Sequence, residues 1–245
     1  GAPTYWGGQP FTAGPHYIGA VTIFLAIMGL LLIRGPKKWW LIIVIALSFT
    51  LSWGSNFMAL TEFFARNVPL YAKFRDMTNN LIIAQFAIPL LAFLGIKAWI
   101  MDEKRDDKEK LKKLYIGTGI AGGIALIFSL MPGLFLSFSA PSEAFAQSNG
   151  FDMNALIADR EMLARKDAFR TLIFVLLAAS LLYITIKGKV KASYVYMGLT
   201  FLILVDLWAV DKRYLNSDDF VTKRQLDNQI KPAPANQYIL LDPDV

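Results

Sequence analysis

Six apolar stretches, each near the length needed to cross a lipid bilayer, constrain this chain more than any other feature. They are Tyr17–Ile33, Trp39–Trp53, Asn80–Met101, Leu114–Phe138, Ala168–Ile186 and Ser193–Val210. A hydrocarbon core about 30 Å thick takes roughly 20 apolar residues in a helix. Backbone in lipid must also satisfy its own hydrogen bonds, which a helix does and an open strand does not. The expected fold class is therefore all-α, a polytopic membrane protein of about six transmembrane helices with short helices in its outer-face loops. Trp39–Trp53 is short for a span and is expected to run on through Phe57 and Met58. Composition agrees: 55% of the 245 residues are hydrophobic, 18% are charged, and the mean hydropathy is +0.43. A soluble domain of that size covers its surface with more charge.

The connectors orient the spans. Arg34, Lys37 and Lys38 follow the first, Lys104, Arg105, Lys108, Lys110, Lys112 and Lys113 lie between the third and fourth, and Lys187, Lys189 and Lys191 follow the fifth. Those twelve basic residues share one side. The alternate connectors hold six: Arg66, Lys73, Arg75, Arg160, Arg165 and Lys166. The richer side is expected to be cytoplasmic, which puts both chain ends outside. Trp39, Trp40 and Trp53 fall where an interfacial aromatic belt places them. The net charge of +6 is thus accounted for by topology, and nucleic acid is not an expected partner; membrane lipids are.

Residues 1–16 are read as an outer loop, 17–213 as the transmembrane helical domain, and 214–245 as a linker and the start of a truncated extracytoplasmic domain, because the chain turns polar after Val210 and carries Lys231-Pro-Ala-Pro-Ala235. The chain is expected to be a piece of a longer protein. Of the outer segments, Gly54–Asn79 mixes aromatics, Pro69 and charges. Within 139–167 an amphipathic helix is expected from Met153, capped by Asp152, with Met153, Leu156, Ile157 and Leu163 on one face.

Much chemistry is excluded. There is no cysteine, hence no disulfide or thiolate metal site. His16 is the one histidine, and a lone histidine is no metal site. No phosphate-cradling glycine loop, nucleophile elbow or metal-ligand spacing occurs, so no metal and no cofactor are expected in this chain. Asp206, about a dozen residues into the last span, is an ionisable group inside the membrane and needs a partner. Spans five and six form a hairpin about residue 189, which sets Arg170 at the depth of Asp206. The expected role is a structural ion pair. In the outer segment Val68–Asp76, Lys73 and Arg75 sit beside Tyr71 and Phe74. Such a set suits a phosphate and an adjoining tail or sugar ring, although spacing alone favours snorkelling to lipid headgroups. Gly119-x-x-x-Gly123 is expected to pack closely on another helix. Pro89 frees the Gln85 carbonyl and is expected to kink the third span.

Several segments together resemble the YfhO-type bacterial membrane proteins of the Bacteroidetes branch. They are Tyr5-Trp-Gly-Gly-Gln-Pro-Phe-Thr-Ala-Gly-Pro15, Leu51-Ser-Trp-Gly-Ser-Asn-Phe57, Pro69-Leu-Tyr-Ala-Lys-Phe-Arg75 and Leu204-Val-Asp-Leu-Trp-Ala-Val-Asp-Lys-Arg-Tyr-Leu215, in order over nearly the whole chain. That family resembles the C-class membrane glycosyltransferases. The resemblance implies transfer of a sugar from a polyprenyl-phosphate-linked donor to an acceptor outside the cytoplasmic membrane. It assigns donor binding to Arg75, with Lys73, Tyr71 and Asp76 around it. The carboxylate that usually serves as base or metal contact would lie upstream of Gly1, so that region is absent from this chain and the catalytic residues stay unassigned, and a divalent metal belongs, if anywhere, to the whole protein. Gly8 stands where many relatives carry an acidic residue. A transporter or flippase for a lipid-linked glycan and a non-catalytic scaffold are the competing readings. Paired broken spans with midplane charges would favour transport.

Overall fold

The structure, a computed structural model, describes residues 16–73, 76–101, 106–139, 150, 152–188, 190–217 and 220–229. It is 84% helical, with no strand among the described residues. The helices are α1 (Ala20–Leu32), α2 (Pro36–Ser52), α3 (Met58–Asn67), α4 (Leu81–Met101), α5 (Asp107–Leu130), α6 (Met153–Ile186), α7 (Ala192–Tyr214) and α8 (Lys223–Gln229), with single 3₁₀ turns at Gly54–Phe57, Tyr71–Lys73, Met77–Asn80 and Pro132–Leu134. Four helices are long and apolar enough to cross a membrane, those ending at Met101, Leu130, Ile186 and Tyr214, and a fifth if the bent pair Lys38–Ser52 and Gly54–Asn67 counts as one. The fold is an all-α polytopic membrane fold.

By its internal contacts the chain divides into Gly1–Leu207 and Trp208–Val245. In the first unit the most extensive packing is of α1 on α4 and of α5 on α6, and α2 also packs against α4. The core is built of Val21, Phe24, Leu25, Met28 and Leu32 of α1, Ala84, Leu91 and Trp99 of α4, and Val175 and Leu182 of α6. α1 has 13 residues and is therefore about 20 Å long, short of a bilayer core. It can be short because it is the inner helix: α4, α5 and α6 all pack on it, and its first N–H groups are satisfied by protein, as described below. In the second unit, Lys212 Nζ lies 4.6 Å from the centroid of the Trp208 ring.

Three boundaries differ from expectation. The second span does not run on through Phe57 and Met58. It stops at Ser52, and the chain turns by 112° into the next helical segment. Gly54, at φ 51°, takes the left-handed conformation that the corner needs, and the Thr61 hydroxyl donates to the Gly54 carbonyl at 2.8 Å to hold it. The helix of the fourth span, α5, begins at Asp107 and ends at Leu130 rather than at Phe138, because Pro132 cannot continue it. The amphipathic segment from Met153 and the fifth span are a single 34-residue helix, about 50 Å long. No proline or glycine separates them, and Asp152 caps the start as expected, accepting from Asn154 N at 2.9 Å.

α4 continues as helix on both sides of Pro89. Its start is tied to its neighbours: the buried Ser48 hydroxyl donates to the Asn80 carbonyl at 2.5 Å and accepts from Ala84 N at 3.1 Å, and Gln85 Nε2 lies 3.2 Å from His16 Nδ1. One interior feature also departs from the reading. The close helix packing lies elsewhere than at Gly119 and Gly123, where an added Cβ would meet nothing within 4 Å. It is at Gly29 and Gly95. A Cβ on Gly95 would sit 2.7 Å from the Gly29 backbone, and one on Gly29 would sit 2.5 Å from the Leu91 carbonyl oxygen.

Candidate functional site

Helix α1 starts without a Ser, Thr, Asp or Asn at its N-cap; Gly19 stands there and supplies no side-chain acceptor. Its exposed N–H groups need a partner from elsewhere. Asp206 supplies one. Its Oδ2 accepts from Ala20 N at 2.6 Å, so a carboxylate from α7, 186 residues away, caps α1. A negative charge at a helix N-terminus is favoured by the helix dipole as well as by the hydrogen bond.

The other oxygen of Asp206 is equally engaged. Oδ1 accepts from the Tyr17 hydroxyl at 2.8 Å and from Arg170 Nη2 at 2.6 Å, and Arg170 also donates to the Asp206 carbonyl oxygen. The Arg170 guanidinium lies over two rings, 5.2 Å from the Phe174 centroid and 5.9 Å from that of Tyr17. Asp206 is fully buried, at 0% exposure. A buried carboxylate is tolerated when its lone pairs are taken up by donors and its charge is matched, and this one has both. The node therefore clamps three elements, the start of α1, the middle of α6 and the C-terminal half of α7.

Beside the node an open apolar groove of about 310 Å³ runs between α1, α5 and α6. Tyr17, Ile23, Ala121, Ile124, Phe128 and Thr171 line it. Tyr17 belongs to both features, its hydroxyl on Asp206 and its ring on the groove. A concave apolar volume with polar groups at one end is the usual form of a small-molecule or lipid site.

The predicted pair Asp206 and Arg170 is brought together. Of the predicted donor-binding residues, Arg75 lies outside the described residues, as does Phe74. Lys73 is exposed at the end of its 3₁₀ turn. Tyr71 is buried, with its ring 5.5 Å from that of Phe64 and its hydroxyl without a partner among the described residues. That ring packs within the protein and helps anchor the turn. Asp76 caps the turn Met77–Asn80, accepting from the Thr78 hydroxyl at 2.7 Å and from Thr78 N at 2.9 Å. The hydroxyl first, and then the N–H, hold its carboxyl below the ordinary range. Its task is local. No group of three or more His, Asp or Glu that could hold a metal occurs among the described residues.

Sequence reading missed Tyr17 and the Ala20 N–H. The available signal was the uncapped start of the first apolar run, Gly19-Ala20, which required an acceptor from another part of the chain. It also counted Arg160 only as a loop charge, whereas Arg160 is buried and donates to the Phe138 carbonyl at 2.7 Å. No family model, curated protein or solved structure matches this chain.

Proposed function

We propose that this chain is the later membrane region of a YfhO-type, glycosyltransferase-like protein. On this reading it lies in a bacterial cytoplasmic membrane with both ends extracytoplasmic. It holds the donor side of a reaction that moves a sugar from a polyprenyl phosphate to an acceptor outside. The observation that carries the reading is the apolar groove beside the Tyr17–Asp206–Arg170 node. A polyprenyl donor needs an apolar track for its tail next to a fixed polar end, and a groove of about 310 Å³ lies in the range of ligand sites. Lys73 closes the 3₁₀ turn Tyr71–Lys73, shortly before the turn Met77–Asn80 that leads into α4. The His16–Gln85 contact ties the residues just before α1 to the start of α4, one turn after Asn80.

In this scheme Arg170 is already committed to Asp206 and orders the groove wall through Tyr17. The phosphate falls to Arg75, whose planar fork matches two phosphate oxygens, with Lys73 adding charge. A transporter or flippase for the same lipid is less well supported. Its site would be built from paired broken spans near the bilayer centre, and only one bent helix pair occurs among the described residues. A non-catalytic scaffold would have no need of the groove.

The test is a transfer assay on the full-length protein in proteoliposomes with a polyprenyl-phosphate sugar. Arg75→Ala should raise the donor KM about ten- to a hundredfold, the equivalent of losing one charge-assisted contact of about 1.5–3 kcal/mol. Arg75→Lys should fall between. Ala121→Phe, which fills the groove without touching the charges, should also raise donor KM. Normal donor KM and turnover in a folded Arg75→Ala protein would make that arginine a headgroup anchor and remove the reading.

A further inference from the structure

The chain bends by 112° between Lys38–Ser52 and Gly54–Asn67, an arrangement open to two readings: a helix that crosses and then lies flat, or a re-entrant loop that dips and returns. We propose that α2 crosses alone and that α3 lies in the plane of the membrane surface, with Phe63 seated at the boundary between headgroups and acyl chains. Its partner is the lipid surface.

The aromatic residues at the two ends of α2 favour this. α2 has 17 residues, about 25 Å of helix, with exposed Trp39 and Trp40 in its first turn and exposed Trp53 just after its end. Indoles at both ends of a helix of that length mark two interfaces. Transmembrane helices tilt by about 20° on average, so an element turned 112° from one lies near the membrane plane.

The residues of α3 fit that plane. Leu60, Phe63 and Phe64, at i, i+3 and i+4, form one side, and Thr61, Glu62 and Arg66 form the other. No α3 residue is buried. Phe64 turns toward the protein, its ring against Tyr71, and Phe63 packs edge-on to Phe64 at 5.7 Å while remaining 57% exposed. On the polar side Arg66 and Glu62 pair at 3.0 Å, both exposed. An amphipathic helix of this kind buries its apolar face a few ångström into the headgroup layer. The re-entrant alternative would carry Glu62, Arg66 and Asn67 into hydrocarbon, at a cost for each charge. It would also place the irregular backbone after Asn67 there, where its polar groups would lack partners.

Nitroxide labels placed singly at positions 58–67, in the protein reconstituted into phosphatidylcholine–phosphatidylglycerol vesicles, test this through collision with oxygen and with a water-soluble nickel chelate. The proposal expects depth to oscillate every three to four residues about a constant mean. Ala59 and Phe63 should be oxygen-accessible, and Glu62 and Ala65 chelate-accessible. The two alanines carry the result should labels at the aromatics perturb folding. Depth that changes steadily from 58 to 67 would mean that α3 traverses the bilayer. Chelate access at every position would mean that it stands clear of the lipid. Either outcome overturns the proposal.

Discussion

Asp206→Ala should destabilise the protein by about 3–5 kcal/mol, more than the double replacement Asp206→Ala with Arg170→Ala. The single change leaves the Arg170 guanidinium, with only a fifth of its side chain exposed, without its counter-charge. It also strips the cap from Ala20 and the acceptor from Tyr17. In the double variant the uncompensated charge is gone and only neutral donors are left unmet, each costing about 1–3 kcal/mol. Asp206→Asn should lie between wild type and Asp206→Ala, since it keeps an acceptor oxygen and loses the charge. Thermal unfolding in detergent, read as a double-mutant cycle, checks this. Strictly additive single effects would mean that the pair contributes nothing to the fold.

Gly95→Leu should be about as damaging, near or above 3 kcal/mol, because the new Cβ meets the Gly29 backbone at 2.7 Å and the Leu25 carbonyl oxygen at 2.9 Å. Backbone cannot step aside as a side-chain tip can, so α1 and α4 would have to separate along the largest contact in the unit. Gly119→Ala and Gly123→Ala should be neutral to within about 0.5 kcal/mol, since neither faces an atom within 4 Å. Comparable loss at Gly119 and at Gly95 would overturn this description of the packing.

These glycines show where sequence reading succeeds and where it stops. Hydropathy finds helices because lipid imposes the same demand on every residue of a span. That demand does not say which side of a helix faces protein. Gly119-x-x-x-Gly123 had the local spacing of a packing motif and lies on an open face, whereas Gly29 and Gly95, on different helices with no local pattern, carry the close approach. The same distinction runs through the node. Arg170 could be matched to Asp206 because two helices joined by a short turn set residues of equal depth side by side. Tyr17 could not be found that way, since it comes from a helix start 189 residues distant and its contact depends on how α1 docks. The corner after Ser52 was hidden for a related reason: apolar character continues through Phe57 and Met58, and only the left-handed Gly54 with the Thr61 bond turns the chain.

The proposed function requires that the node, the groove and the turn at Tyr71–Lys73 face away from the cytoplasm. Single cysteines test that orientation directly, because this chain has none of its own. Ser55→Cys and Ser217→Cys should react with a membrane-impermeant maleimide in intact cells, and Lys108→Cys should react only after the membrane is opened. Labelling of Lys108→Cys in intact cells, with Ser55→Cys protected, would invert the protein and place the groove on the wrong side for an extracytoplasmic transfer.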